Sequence, residues 1–208
     1  MSTQSRWGSV AETLSIRDYR NVWLGGAGDD AALGIWFLAS SWLILEMTGS
    51  ALWVGLLGLN AIPGVLLALF AGGVIDRTSK ARILKLSAGA YLGTIAASAA
   101  LVLTGAATPV ALIALVLGIG AIWAFQYPAS KAIVSDLVGA DRLVTANSLG
   151  ELAEFVGEIA TPLVAGAVMA AFGAGAVYIL ATCFGIVAVL LLLRVHSSAP
   201  SRSAVLDA

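Results

Sequence analysis

Six long apolar stretches constrain what this chain can fold into. They cover residues 22–46, 51–75, 83–105, 109–137, 143–172 and 175–195. A helix that crosses the hydrocarbon core of a bilayer needs about 20 mostly apolar residues, whereas a strand of a membrane barrel needs about 9–11 and alternates in polarity. Because these stretches are long and do not alternate, they predict an all-α membrane protein with six transmembrane helices.

The composition supports lipid as the solvent. Of the 208 residues, 60% are hydrophobic and 11% are charged, whereas a soluble domain is about 45–50% apolar and about 25% charged. A soluble core of this length could not bury so many apolar side chains. We therefore expect an N-terminal segment over residues 1–20, a six-helix transmembrane domain over residues 21–195 and a tail over residues 196–208.

The lysines and arginines predict the orientation in the membrane. They precede the first stretch, separate the second from the third, flank the turn between the fourth and fifth, and follow the sixth. They are Arg6, Arg17, Arg20, Arg77, Lys80, Arg82, Lys85, Lys131, Arg142, Arg194 and Arg202. Since basic loops stay in the cytoplasm, we expect a multi-pass protein of the inner (plasma) membrane with cytoplasmic N- and C-termini.

The loop between the second and third stretches reads GGVIDRTSKARIL. This loop resembles the signature loop of the major facilitator superfamily, with Ser79 where the family usually has glycine. Other segments are similar to the macrolide-efflux and siderophore-exporter branch, namely WLILEMTGSALWVGLLGLNAIP, YPASKAIVSDLV, RLVTANSL and GEIATPLVAG. The resemblance covers about residues 16–195. It implies the N-terminal six-helix half of a major facilitator fold, with a 3+3 inverted repeat.

The resemblance implies that the signature loop is a latch on the cytoplasmic side. Its residues here are Gly72, Asp76, Arg77 and Lys80. In the family the loop meets the other half, where the positive N-terminal end of a helix dipole attracts a carboxylate such as Asp76. A solvated turn that follows the positive-inside rule would carry the same basic residues, so that interpretation stays open.

A motif of small residues in the fifth stretch predicts a packing surface. The resemblance implies that these residues form the helix-five motif of the family, with Thr161 in place of a glycine. Small residues allow helix backbones to approach closely in lipid. We expect this side to pack against Pro63 and Gly64 of a partner copy. The motif residues are Gly157, Thr161, Pro162, Ala165 and Gly166.

Three glutamates follow the same side of the fifth stretch. Glu151, Glu154 and Glu158 fall within a narrow angular sector of a helix with 3.6 residues per turn. Glu151 and Glu154 could reach headgroup water at the cytoplasmic end, but Glu158 lies deeper. Acids inside a membrane usually face the bundle interior or a hydrated cavity, so we predict that these three line a site for substrate and protons.

Two adjacent aspartates interrupt the first stretch. Asp29 and Asp30 point about 100° apart on a helix, so we expect one to line the cavity and the other to meet a neighbouring helix or a backbone donor. Hydration of both near the cytoplasmic end is the alternative. Asn60, Gln126 and Tyr127 are polar residues that could line the same cavity, although single polar residues also hold helices together.

The acids suggest a transport mechanism. Only Lys131 lies deep enough to pair with them. A carboxyl group in a low-dielectric site holds a proton near neutral pH and releases it when a cation arrives. We therefore expect an efflux antiporter that exports small organic cations or amphiphiles in exchange for protons. We find no nucleophile–base pair, zinc spacing or nucleotide-binding loop, so we expect no enzyme, no metal, no cofactor and no nucleic-acid partner.

The resemblance implies a fold with a second half, which these six stretches do not supply. Family members usually have twelve helices and hold the substrate between two halves. We expect a half-transporter completed by a second copy as a homodimer, in contact with the bilayer, the substrate and protons. A heterodimer with a separate six-helix half, a piece of a longer chain, and a non-transporting subunit or assembly factor of a larger membrane complex are the alternatives.

Overall fold

The computed structural model describes residues 3–196, except for the side chains of residues 3–8 and of Asp76. Within these residues the chain is helical and contains no strand. The helices are α1 (Thr3–Ser15), α2 (Arg17–Thr48), α3 (Ala51–Gly55), α4 (Ala61–Arg77), α5 (Lys80–Leu103), α6 (Pro109–Val138), α7 (Leu143–Phe172) and α8 (Ala174–Leu193). Short 3₁₀ turns at Leu56–Asn60 and Ala140–Arg142 join α3 to α4 and α6 to α7.

Six of these segments are long and apolar enough to cross a membrane. They are α2, the combined α3–α4 segment, α5, α6, α7 and α8. The all-α, six-span prediction is therefore confirmed. The first span begins at Arg17 instead of residue 22, because a helix continues through polar residues wherever water solvates them. We call the end of the bundle that carries Arg17, Arg77, Lys80, Arg142 and Arg194 the basic end.

The helix α1 was absent from our predictions for residues 1–20. It lies against α2 and α7 at the basic end, where Ser9 Oγ and Thr145 Oγ1 are hydrogen bonded at 2.8 Å. Glu12 and Arg142 face each other at 3.8 Å. The helix is short and mixes polar with apolar residues, so neither an apolar run nor a cap marks it in the sequence.

Residues with special backbone properties set the turns between spans. Gly49 ends α2 with a φ of +62°, and its N–H donates to the Leu45 carbonyl at 2.8 Å. This left-handed conformation is one that glycine adopts without steric cost. At the start of α6, the Thr108 hydroxyl accepts a hydrogen bond from the Ala111 N–H at 3.2 Å, and Pro109 follows it. That combination is typical of a capped helix start.

The helix α2 is the centre of the bundle, and its glycines explain its closeness to α8. A Cβ atom at Gly25 would lie 2.7 Å from Leu192 Cγ, and one at Gly28 would lie 3.2 Å from Ala188 Cβ. Because both residues lack a side chain, the two helices approach closely. Glycines near the aspartates thus serve helix packing, and they fix which way the rest of α2 faces.

The helix-five motif packs partly within the chain. Thr161 is buried against α2, where a Cβ at Gly34 would lie 2.7 Å from Thr161 Cγ2. Gly64 is also buried, with the Gly120 carbonyl next to it. Within the chain, α2 covers Thr161 and α6 covers Gly64, so the expected contact between this motif and a partner copy stays a prediction that depends on its exposed residues. The other motif residues differ: Ala165 is buried, Gly157 is half-buried, and Pro162 and Gly166 are exposed.

Two membrane helices contain an internal proline. Pro128 lies in α6 and Pro162 lies in α7. Proline has no N–H to donate, so the carbonyls of Ala124 and Glu158 receive no helical hydrogen bond from these positions. Each helix is weakened locally at that point.

Two spans are much less covered by the rest of the chain than the others. Only 17% of the apolar part of the α3–α4 span and 11% of that of α7 are buried, against 28% to 33% for the other four spans. Large apolar side chains are exposed along both, including Val65, Leu66, Leu69 and Phe70 on α4 and Leu152, Phe155, Ile159 and Leu163 on α7. These two surfaces are available to lipid or to another protein.

Two aromatic side chains of α2 tie it to the first turns of α7. The Tyr19 hydroxyl donates to the Ala146 carbonyl at 3.0 Å, and Trp23 Nε1 donates to the Leu149 carbonyl at 2.9 Å. We call this pair of contacts the α2–α7 clasp. It fixes the end of α7 that lies at the basic end.

We expect the double substitution Tyr19→Phe and Trp23→Phe to loosen the start of α7. Each lost hydrogen bond removes about 0.5–1.5 kcal/mol, so the two together remove about 1–3 kcal/mol, and amide hydrogen exchange in residues 146–152 should become about fivefold to 150-fold faster. Trp42→Phe is the matched control, since Trp42 lies on the same helix and is exposed. Equal exchange rates in the double variant and the parent would show that the two hydrogen bonds of the clasp do not stabilise the start of α7.

Candidate functional site

A cleft of about 160 Å³ lies between α2, α6 and α7. Its walls carry charged, amide and aromatic side chains among small and apolar ones. The polar and aromatic residues lining it are Tyr19, Trp23, Asp30, Trp123, Gln126, Tyr127, Ser130, Lys131, Asn147 and Glu154. Since these groups lie within membrane-crossing helices, the cleft is a polar site inside an apolar bundle.

The two adjacent aspartates occupy different environments. Asp29 is only 2% exposed, and its Oδ2 accepts a hydrogen bond from Gln126 Nε2 at 3.1 Å. Asp30 is exposed and lines the cleft. It lies about 20 Å along α2 from Arg17, at about 1.5 Å per residue. The arrangement therefore assigns Asp29 to the contact with α6 and Asp30 to the cleft.

The three glutamates of α7 also differ in their surroundings. Glu154 lines the cleft. Glu151 accepts a hydrogen bond from Lys131 Nζ on α6 at 3.1 Å, so Lys131 does pair with one of the acids. Glu158 is exposed and lies outside the set of residues that line the cleft. The cleft thus holds Asp30 and Glu154 as carboxyl groups, with the Lys131–Glu151 pair beside them.

A column of side chains on α6 forms one wall of the cleft. The rings of Trp123 and Tyr127 are stacked, with centroids 4.9 Å apart and planes at 22°. The Lys131 ammonium lies 5.5 Å from the Tyr127 ring centroid. These residues follow one another at intervals of four, so they fall on the same helix face. We did not predict that Trp123 or Lys131 would line the site, although this spacing was a signal that could have found them.

An apolar depression of about 670 Å³ adjoins the cleft between α2, α4 and α6. The cleft and the depression share two lining residues, Leu33 and Trp123. Asn60, which we expected in the same cavity as the acids, lines this depression instead of the cleft. An amphiphilic molecule could therefore contact a charged wall and an apolar wall on either side of Trp123.

A buried tyrosine of α5 also went unnoticed in the sequence. Tyr91 on α5 is fully buried, and its hydroxyl has no hydrogen-bond partner among the described residues. A tyrosine in an apolar stretch is a weak signal, since only the packing of α5 reveals its neighbours.

The signature-loop residues are placed at the basic end. Lys80 forms an ion pair with Asp136 at 2.6 Å and donates to the Ala132 carbonyl at 3.3 Å. Gly72 and Arg77 are exposed, and the side chain of Asp76 lies outside those that the structure describes. Within the described residues, this loop therefore ties the start of α5 to the end of α6.

The fold and the cleft define a class of protein. A bundle of six membrane-crossing helices with ionisable groups gathered in a cleft is that of a transporter-like, multi-pass membrane protein. The family model for transmembrane secretion effectors matches residues 6–207, so the chain belongs to this family of the major facilitator superfamily. Comparisons with curated proteins and with solved structures give no match. The narrower resemblance to macrolide-efflux and siderophore-exporter proteins stays a prediction.

Proposed function

We propose that this chain is one half of a proton-coupled exporter of small organic cations or amphiphiles. The observation that carries the proposal is the cleft, which Asp30 and Glu154 line from two different helices deep within the spans. Carboxyl groups that are costly to ionise in a membrane exchange protons readily when a cation binds next to them. Competition between proton and substrate for the same carboxyl groups couples the two movements.

We propose further that a second copy completes the site. The two least covered helices, α4 and α7, border the face that contains the cleft and the depression, one on each side. Rotation of one copy by 180° about an axis normal to the membrane brings α4 of one copy next to α7 of the other. Such a two-fold arrangement is the commonest in homo-oligomers, and it covers both exposed apolar surfaces at once.

The basic end supports an orientation for this assembly. Arginines and lysines lie at that end of α2, α4, α5, α7 and α8. Because basic segments stay in the cytoplasm, we place this end and both termini on the cytoplasmic side of the inner (plasma) membrane. In this orientation the signature loop and the α2–α7 clasp lie on the cytoplasmic side, where the family's latch closes the two halves.

Transport is tested with purified protein in proteoliposomes. An acidic interior should drive accumulation of tetraphenylphosphonium, because protons leave as the cation enters, and collapse of the pH gradient should stop accumulation. Protein-free liposomes are the control. Failure to move any member of a panel of lipophilic cations would instead favour a non-transporting subunit or assembly factor of a larger complex.

The second copy is tested by disulfide cross-linking. Leu66 lies about 16 Å from Arg77 along α4, and Phe155 lies about 18 Å from Leu143 along α7, so the two residues are at matching depth. Both are exposed. In a Cys183→Ser background, copies carrying Leu66→Cys and copies carrying Phe155→Cys should cross-link when mixed in one membrane.

The matched control pairs Leu66→Cys with Ile186→Cys, since Ile186 is an exposed residue of α8. This pair should stay uncrosslinked. Equal cross-linking of both pairs would mean random collision, and cross-linking of neither pair would contradict the two-fold dimer. Co-purification of a different six-helix chain would point to a heterodimer.

A further inference from the structure

We infer that Lys131 is a built-in competitor for the substrate cation, because its ammonium occupies the place beside Tyr127 where a weakly hydrated organic cation would bind. The inference rests on the proposed export function and names the class of cation that the site selects. Export is measured as transport across the membrane, whereas competition by Lys131 is measured as the equilibrium affinity of the cleft for an organic cation.

The geometry of the α6 column carries the inference. Lys131 Nζ lies 5.5 Å from the centroid of the Tyr127 ring and 3.1 Å from Glu151 Oε1. Trp123 is stacked on the same ring from one turn earlier in the helix. Trp123 stacks on the Tyr127 ring from the preceding turn of α6, and Lys131 lies over the ring from the following turn, so Lys131 occupies the position on the ring that a cation in the cleft would use.

The surroundings suit a second cation better than they suit Lys131. Asp30 and Glu154 line the cleft together with Lys131, and neither of them is the ion-pair partner of Lys131. An ammonium group is strongly hydrated, and its four-carbon stem is flexible, so its hold on an aromatic ring is weak. A quaternary or aromatic cation loses less hydration on entering and gains more from the ring.

Displacement leaves the charges paired. When an organic cation takes the face of Tyr127, Lys131 can keep its contact with Glu151, while one of Asp30 and Glu154 pairs with the organic cation and the other carboxyl keeps its proton. The apolar body of the ligand then continues past Trp123 and Leu33 into the apolar depression. These two residues line both the cleft and the depression. The site therefore selects weakly hydrated organic cations with an apolar body over small primary amines.

Equilibrium binding of benzyltrimethylammonium to the full chain in nanodiscs tests the inference. Lys131→Gln should tighten binding by about fivefold to tenfold, because it removes both the occupant of the ring and its positive charge. Lys80→Gln is the matched control for loss of charge, since Lys80 is also paired with a carboxylate but lies at the basic end. It should leave the affinity unchanged.

A double-mutant cycle separates competition at the ring from the charge of Lys131. Tyr127→Leu should weaken binding by several-fold in the Lys131→Gln background and much less in the parent, where Lys131 already occupies the ring. Tyr127→Phe keeps the aromatic face and should therefore preserve the difference in affinity between the parent and the Lys131→Gln background. Lys131→Met serves as a second neutral variant, and size-exclusion chromatography checks that each variant is folded.

Equal effects of Tyr127→Leu in both backgrounds, or unchanged affinity in Lys131→Gln and Lys131→Met, would overturn the competitor role and leave the proposed export function untouched. Absence of binding in the parent and in both neutral variants would overturn it as well. Tighter binding in the neutral variants without transport by the parent would support the competitor and contradict the export function.

Discussion

Proton-driven transport should fall to the protein-free background when Asp30 is replaced by asparagine. Asp30 is the aspartate that lines the cleft, and the amide cannot release a proton when a cation arrives. Downhill exchange of labelled for unlabelled cation should persist, since the cleft keeps its shape. Accumulation of tetraphenylphosphonium by acid-loaded proteoliposomes measures the first property, and counterflow without a pH gradient measures the second.

Glu46→Gln is the matched control for Asp30→Asn. Glu46 is an exposed acid on the same helix near its other end, so its replacement should leave accumulation as in the parent. The Asp30→Asn variant should be as stable as the parent protein or more so, because an acid inside a membrane is costly. If Asp30→Asn and Glu154→Gln both accumulate cation like the parent, the cleft carboxyls do not couple transport to protons.

The substitution Gly120→Ala should destabilise the bundle more than the same change at Gly25 or Gly34. A Cβ atom at Gly120 would overlap the backbone carbonyl oxygen of Asn60, whereas the nearest atoms at the other two glycines belong to side chains. The start of α4 and the middle of α6 would therefore have to separate. Overpacking of this kind typically costs about 1–3 kcal/mol. We expect a lower midpoint of thermal aggregation and a smaller yield of monodisperse protein.

A glycine two residues away supplies the control for that experiment. Gly118 lies on the same helix and faces open space. Gly118→Ala should therefore be neutral or stabilising, since alanine is favoured over glycine in a helix by about 1 kcal/mol. Equal aggregation midpoints for Gly118→Ala and Gly120→Ala would mean that the α4–α6 contact relaxes freely and does not limit stability.

The spans could be predicted from the sequence because length and polarity alone determine which segments cross a membrane. The divergence of Asp29 and Asp30 likewise follows from helix geometry. Which of the two lines the cleft could not be predicted, because it depends on how α2 is rotated, and Gly25 and Gly28 fix that rotation by packing on α8. Spacing along one helix does not identify its neighbours.

Because spacing along one helix does not identify its neighbours, several other contacts also had no prediction, or a different one, from the sequence. Lys131 and Glu151 belong to different helices, so their ion pair depends on the contact between α6 and α7. Asn60 lines the depression because Gly120 lets the segment before α4 approach α6. Thr161 packs on α2 because Gly34 leaves room for its methyl group. All three placements depend on tertiary contacts between helices and not on any local pattern.

The internal proline of α7 has a mechanical consequence. The α2–α7 clasp holds this helix at its first turns, and Pro162 removes one backbone hydrogen bond about two thirds of the way along it. A rod fixed at one end and weakened near the other deflects mainly beyond the weak point. The cleft, which α7 borders between these two points, therefore keeps a rigid wall, and any bend of the helix is confined to the segment after Pro162, where Ala165, Val168 and Met169 pack against the core.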